Sequence, residues 1–190
     1  MNRNYEALEL PDREAWRAWL AAEYAASPGV WLAVGKKGGH RTSLSYEEAV
    51  EEALCFGWID GLVRSLDEER MNLRFTPRKK GGTWSASNKQ RAAKLLAGDR
   101  IAPAGLAAIE AAKADGSWDR LADSEKLLIP PDLTSAMRGK RAARRVFDEL
   151  TASRRKMILA WVASAKRPET RARRIDRTLA ALGEGRSPIA

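Results

Sequence analysis

Cysteine and histidine are almost absent from this sequence, and each occurs once in 190 residues. A single cysteine excludes an intrachain disulfide, and one cysteine with one histidine cannot supply the four ligands of a structural zinc site. Long apolar runs are absent too: none approaches the roughly 20 residues that span a bilayer, and charges interrupt every apolar stretch of residues 1–30. These absences predict a cytoplasmic protein with no structural metal and no membrane span.

Motifs that hold nucleotide phosphates are also missing. The chain has no glycine-lysine-serine phosphate loop and no glycine-rich dinucleotide fingerprint after a strand. The glycine-rich segment Gly35-Lys36-Lys37-Gly38-Gly39 does not open a helix, which a phosphate site of this kind requires. We therefore expect no cofactor.

Candidate catalytic groups are few. His40 lies in a glycine-rich loop, where we interpret it as a solvated residue rather than a base. Cys55 is predicted at the end of a helix, on the same face as Glu51 and Glu52 and opposite the apolar residues, where negative charge raises a thiol pKa. We assign no catalytic residue and favour binding over catalysis, and a hydrolase or transferase of unknown substrate stays a third hypothesis.

Periodicity predicts an α+β fold. A helix over residues 12–26 precedes a strand over 30–34, and Ser45 with Glu48 has the form of a capping box at the start of a second helix. Strands over 62–66 and 71–76 complete a small antiparallel sheet of about three strands, and from Pro103 onward the pattern is helical. We place an α+β domain at residues 1–116 and a helical, basic region at 117–190, packed on it.

The positive charge is concentrated near the C-terminus. The formal net charge is +9, and residues 138–177 carry 14 Lys and Arg against 4 Asp and Glu. Such a surface attracts phosphate, nucleic acid or acidic partners; the alternative interpretation is that it serves only to keep the protein in solution.

An ordered set of motifs runs from about Trp16 to Leu182. The motifs are Gly29-Val30-Trp31-Leu32, Lys36-Lys37, Leu54-Cys55-Phe56-Gly57-Trp58-Ile59-Asp60-Gly61, Arg74-Phe75-Thr76-Pro77-Arg78, Trp84-Ser85-Ala86-Ser87-Asn88 and Ala165-Lys166-Arg167-Pro168-Glu169-Thr170-Arg171. In this order and spacing they resemble the YdeI/OmpD-associated (OmdA) family, also described as bacteriocin-protection proteins. The resemblance implies a bacterial protein of stress or antimicrobial resistance, and it implies no reaction, cofactor or catalytic residue.

Two of these motifs combine aromatic, acidic and basic side chains. We predict a pocket for a small molecule or a peptide, in which Asp60 faces Arg74 or Arg78 from the neighbouring strand. The predicted ligand-binding residues are Trp58, Asp60, Arg74, Arg78, Trp84 and Asn88. In the structural alternative, the segment 57–61 is a tight connection in which Trp58 packs and Asp60 bonds backbone groups.

A second hypothesis is a sequence-tolerant nucleic-acid-binding protein. Basic residues near Trp84 could follow a phosphate backbone, and the C-terminal helices could add to them. The residues of this alternative are Lys36, Lys37, Arg78, Lys79, Lys80, Arg171, Arg173 and Arg174. The identity of the ligand and the oligomeric state are open at this level.

Overall fold

The computed structural model describes residues 5–36 and 44–189. The chain forms two compact units, unit 1 with residues 1–82 and 87–115 and unit 2 with residues 83–86 and 116–190. Among the described residues, every strand belongs to unit 1, and unit 2 is helical. The predicted α+β class with a helical C-terminal half is confirmed.

Unit 1 combines four short strands with four helices in its described part. Its elements are β1 (Glu6–Leu8), α1 (Arg13–Glu23), β2 (Val30–Gly35), α2 (Tyr46–Cys55), β3 (Trp58–Ser65), β4 (Arg70–Pro77), α3 (Ala86–Ala97) and α4 (Pro103–Ala114). Local signals set the helix ends: the Asp12 carboxylate caps α1 by accepting a hydrogen bond from Ala15 N at 2.9 Å. Pro103 opens α4, at a position whose N–H would have no partner within the helix.

The strands form one mixed sheet in the order β1-β2-β4-β3. β4 pairs antiparallel with β2 and β3, whereas β1 runs parallel to β2. The prediction of about three antiparallel strands missed β1, because three residues are too few to show an alternating pattern. β3 also begins at Trp58 instead of Leu62, so the segment predicted as a connection lies largely in the sheet.

Helices α1 and α2 pack on one face of the sheet. Alternation along β4 turns Leu73 and Phe75 to this face, and both are fully buried. The ring of Trp16 in α1 lies 5.5 Å from that of Phe75, and its Nε1 donates to the carbonyl of Ala49 in α2 at 3.0 Å. Full burial of a side chain such as Leu73 or Phe75 contributes about 1.5–3 kcal/mol to the stability of the fold. These contacts hold α1, α2 and β4 together.

Helix α2 begins with the predicted capping box. Glu48 N donates to the Ser45 hydroxyl at 3.3 Å, and Ser45 N donates to the Glu48 carboxylate at 2.9 Å. Glu51, Glu52 and Cys55, which periodicity places on the side opposite the apolar residues of α2, are nevertheless all buried. Both faces of α2 are therefore covered in unit 1, one of them by polar contacts.

Guanidinium groups compensate for the burial of Glu52. Its carboxylate accepts hydrogen bonds from Arg13 Nε at 2.6 Å, from Arg17 Nη1 at 2.6 Å and from Arg100 Nη2 at 2.7 Å. Burial alone would raise the pKa of Glu52, but the hydrogen bonds from Arg17, Arg13 and Arg100 outweigh it and lower that pKa. The side chain is therefore ionised inside unit 1.

Gly105 lets α4 approach the end of α2 closely. Ala102 N donates to the carbonyl oxygen of Cys55 at 3.0 Å, and a Cβ added at Gly105 would lie 2.3 Å from the same oxygen. No side chain fits in that space. The position of α4 across the end of α2 thus depends on glycine at residue 105.

Unit 2 consists of five helices within its described residues. They are α5 (Ala122–Glu125), α6 (Pro131–Ala136), α7 (Arg141–Glu149), α8 (Ala152–Ala163) and α9 (Pro168–Gly183). Helix α9 contacts α6, α7 and α8. Its buried side chains Ile175, Leu179 and Leu182 join Phe147 of α7 and Val162 of α8 in one hydrophobic core, so α9 organises the unit.

Candidate functional site

The turn between α2 and β3 lies beside the segment that follows β4. Gly57 adopts a φ of +74°, a conformation that favours glycine, and this lets β3 follow α2 with only two residues between them. Arg78 N donates to the carbonyl of Gly57 at 2.9 Å. The motif that contains Asp60 and the motif that ends in Arg78 therefore meet in unit 1.

Asp60 lies at the start of β3, opposite Phe75 and thus on the sheet face that carries α2. Its Oδ2 accepts a hydrogen bond from the hydroxyl of Tyr46, the first residue of α2, at 3.0 Å. Burial raises the pKa of Tyr46 to about 12, and the charge of Asp60 adds to this effect. The phenol therefore stays protonated at neutral pH and continues to donate to the carboxylate.

Arg78 supplies the opposite charge. Burial lowers the pKa of Arg78 to about 10, and the negative charge of Asp60 acts in the opposite direction. The guanidinium is still protonated at neutral pH. Because Asp60 and Arg78 are each only partly exposed, their charges are screened less than those of surface residues.

Helix α3 adds an amide and a second guanidinium. Arg91 binds both carboxylate oxygens of Glu47, with Nε at 2.8 Å and Nη2 at 2.6 Å, and its Nη1 donates to Asn88 Oδ1 at 2.9 Å. The charge of Asp60 also raises the pKa of Arg91, although the hydrogen bond to Glu47 has a larger effect. We call the set the Asp60 cluster; its members are Tyr46, Glu47, Asp60, Arg78, Asn88 and Arg91.

Three of the six predicted ligand-binding residues belong to the Asp60 cluster, and the others lie elsewhere. Arg74 is adjacent in sequence to the residue that pairs with Asp60, so alternation turns it to the opposite face of the sheet. Trp58 is buried and donates from Nε1 to the carbonyl of Tyr24 at 3.1 Å. Trp84 belongs to unit 2, where its buried ring lies 4.8 Å from that of Trp118.

Tyr46, Glu47 and Arg91 are members of the cluster that the site prediction did not include. The helical spacing of Tyr46 from Ala49 and Val50 favours an apolar environment for its ring, although its hydroxyl needs a partner when the ring is half-buried. The spacing of Asn88 and Arg91, three residues apart on one helix face, is a signal that could have linked them.

The basic residues of unit 1 in the nucleic-acid alternative are dispersed. Lys36 Nζ donates to Ser65 Oγ at 3.2 Å and to the carbonyl of Asp67 at 2.6 Å, next to the β3–β4 turn. Lys79 and Lys80 are exposed in the segment after β4. Lys37 lies outside the described residues.

In unit 2, two of the three predicted arginines connect helices. Arg171 donates to both carboxylate oxygens of Asp132, with Nε at 2.5 Å and Nη2 at 3.0 Å. Arg174 donates to Ser164 Oγ at 2.7 Å and to the carbonyl of Trp161. Arg173 is exposed. Arg171 and Arg174 therefore already have structural partners.

The remaining reactive groups do not join the cluster. Burial raises the pKa of the Cys55 thiol, and the charge of Glu52 raises it further. His40 lies outside the described residues. Across the part of the chain that the structure describes, no group of three or more His, Cys, Asp and Glu side chains could hold a metal ion, and no helix is long and apolar enough to cross a membrane.

The fold and the Asp60 cluster define a small α+β domain followed in sequence by a helical, arginine-rich region, and two family models match these parts separately. The model of a domain of unknown function, DUF8412, matches residues 8–108, more than half of the chain, and the chain belongs to this family. The OmdA model, described as bacteriocin-protection, YdeI or OmpD-associated, matches residues 126–185. Searches of curated proteins and of solved structures found no match.

The resemblance to the OmdA family is thus confirmed, and it associates the chain with bacteriocin protection. The OmdA match contains only the last of the motifs that carried the resemblance, the segment 165–171. The earlier motifs lie within the DUF8412 match. The Asp60 cluster therefore belongs to the DUF8412 part of the chain.

Proposed function

We propose that this is a bacterial cytoplasmic protein that protects the cell against a bacteriocin or a related antimicrobial stress by binding a small molecule or a short peptide, without catalysis. The match of residues 126–185 to a family described as bacteriocin-protection supports the biological role. The composition of the Asp60 cluster supports binding, since it offers two carboxylates, two guanidinium groups, a phenol and an amide to a polar ligand.

The observation that carries the proposal is that Asp60 and Arg78 are both half-buried and lie close enough for the charge of Asp60 to act on Arg78, whose N–H donates to the carbonyl of Gly57 at 2.9 Å. A carboxylate beside a guanidinium recognises a ligand with both charges, its ammonium group on Asp60 and its carboxylate on Arg78. Free amino acids and short peptides have this charge pattern at neutral pH. We therefore propose a zwitterionic ligand.

Protection assays with two variants test the role of the cluster. Asp60→Asn and Arg78→Gln should each reduce the survival of a bacteriocin-sensitive strain that expresses the protein, because each removes one of the two protein charges that bind the ligand. Lys79→Gln is the matched control, since it removes a positive charge from the exposed neighbouring residue. Survival equal to the wild type in both cluster variants, with the folded protein present at equal levels, would refute the proposal.

A direct binding measurement separates ligand recognition from folding. Glycylglycine, a zwitterion, should shift the amide NMR signals of residues 57–61 and 78, whereas its N-acetylated and C-amidated form should not. The Arg78→Gln variant should lose this response while keeping the chemical shifts of β2. Equal responses to the charged and the blocked peptide would contradict a zwitterionic ligand.

Nucleic-acid binding by the C-terminal helices is the second candidate. The exposed Arg173 and Arg177 of α9, within the segment that carries 14 Lys and Arg, favour it. It predicts that the double variant R173Q/R177Q loses affinity for an oligonucleotide at low salt. Unchanged affinity would exclude α9 as the contact surface.

A further inference from the structure

The second face of the sheet in unit 1, opposite α1 and α2, carries aromatic rings and arginines from neighbouring strands. Trp31 of β2 lies directly opposite Arg74 of β4, and Arg64 of β3 lies opposite Asn72 of β4. Because residues directly opposite one another share a face, these side chains lie on the same side of the sheet. Arg64 is exposed, and Trp31 and Arg74 are half-buried.

Each guanidinium lies over an aromatic ring. The guanidinium carbon of Arg64 is 4.3 Å from the centre of the Trp31 ring, and that of Arg74 is 5.9 Å from the centre of the Tyr5 ring. A bulge places Gly61 next to Arg74, where a Cβ would lie 3.2 Å from Nη2. The missing side chain leaves space for the guanidinium to lie across β3.

Within residues 5–36 and 44–189, neither Arg64 nor Arg74 forms an ion pair with a carboxylate, and the buried Nε of Arg74 has no hydrogen-bond acceptor. Arg70 on the same strand differs, because it binds Asp67 at 2.8 Å and Glu9 at 2.7 Å. Two cations without an acidic partner, held on aromatic rings, can donate to an external anion.

We infer that this face binds single-stranded nucleic acid, with phosphates on Arg64 and Arg74 and bases stacked on Trp31, on Tyr5 or on the guanidinium planes. Stacking of bases on aromatic rings and arginines, combined with phosphate contacts, is the common mode of sequence-tolerant single-strand binding. The groups are spread over three strands of an open sheet, which suits a chain of nucleotides better than one nucleotide. This site is separate from the Asp60 cluster, on the opposite sheet face, and does not depend on the ligand proposed there.

Fluorescence anisotropy with a fluorescein-labelled oligo(dT) of about 12 nucleotides tests this inference in the full-length chain. The double variant R64Q/R74Q should bind about tenfold more weakly than the wild type at low salt, because two phosphate contacts are lost. The slope of log affinity against log salt should become shallower by about 1.4. The variant K113Q/K126Q also removes two exposed positive charges, which lie outside the proposed face and outside α9, and it should bind within about twofold of the wild type.

Thermal melts show whether each variant is folded. If R64Q/R74Q does not fold, R64K/R74K takes its place: it should keep the salt slope but bind more weakly, because lysine keeps the charge and loses the planar stacking. The inference would be overturned if the wild type did not bind, or if R64Q/R74Q and K113Q/K126Q lost affinity equally. Where R64K/R74K replaces R64Q/R74Q, unchanged affinity of R64K/R74K would also overturn it. Free dTMP that competes as strongly as unlabelled oligo(dT) at the same concentration of nucleotides would also overturn the inference, because the site would then bind single nucleotides.

Discussion

Replacing Glu52 by glutamine should destabilise unit 1 by about 3 kcal/mol, although the two side chains have nearly the same shape. The Glu52 side chain is 0% exposed and binds three guanidinium groups. Removing one partner of a buried ion pair costs about 3–5 kcal/mol, because the remaining charge is left without compensation. The lower end of this range applies, since the side chains of Arg13, Arg17 and Arg100 are 24%, 30% and 39% exposed and water can partly solvate them.

The pH dependence of stability gives the same substitution a second signature. The folded-state pKa of Glu52 is lowered, because hydrogen bonds from Arg17, Arg13 and Arg100 outweigh the effect of burial. The ionised group therefore contributes its full stabilisation above the pKa of the unfolded chain, about 4.3. That contribution is lost as the pH falls through the lower folded-state pKa. The free energy of unfolding of Glu52→Gln should thus fall less steeply with decreasing pH below about 4.3 than that of the wild type.

Urea unfolding followed by the amide NMR signals of Val30 and Leu73, two core residues of the sheet, measures the stability of unit 1 specifically. Glu110→Gln is the matched control, because Glu110 is exposed in α4 of the same unit, and this variant should stay within about 0.5 kcal/mol of the wild type. A loss of unfolding free energy below about 1 kcal/mol for Glu52→Gln, or an unchanged dependence of that free energy on pH, would show that the three arginines do not compensate the buried charge of Glu52.

Gly105→Ala should destabilise unit 1 by about 1–3 kcal/mol in the same urea assay, because its Cβ would meet the carbonyl oxygen of Cys55 at 2.3 Å. Gly98→Ala serves as the comparison, because Gly98 lies in the exposed turn after α3 and its Cβ would be 3.5 Å from the nearest atom. At such a position alanine normally stabilises by restricting the unfolded chain. Equal effects at the two positions would contradict the close approach of α4. Arg171→Gln should raise the pKa of Asp132, which hydrogen bonds from Arg171 hold low. An NMR titration of the Asp132 carboxyl carbon measures this, and an unchanged pKa would show that the contact is absent in solution.

Much of the secondary structure was predictable because its signals are local. The capping box of Ser45 and Glu48 and the proline at the start of α4 act within one helical turn, and the structure has both. The short strand β1 was missed because its only evidence is its pairing with β2. Propensity within three residues is too weak to reveal such a strand.

The candidate site was predictable only in part. The sequence predicted that Asp60 faces Arg74 or Arg78, and in the structure the charge of Asp60 acts on Arg78. The sequence did not show that Arg74 lies on the other face of the sheet, because the register of β3 against β4 contains a bulge that only the paired strands define. The contact of Arg91 with Glu47 spans 44 residues and has no local signal.

By itself, the sequence determined the α+β class, the helical second half, the concentration of positive charge and the ends of several helices, because these depend on composition and on contacts within about four residues. Only the tertiary structure decided which charged groups are buried and with which partners. Glu52 illustrates this: its helical position predicts exposure, yet Arg17 and Arg100, 35 and 48 residues away, keep it ionised in the interior. Such burial is possible only where several distant chain segments bring their charges together, since a carboxylate without these partners would remain in water.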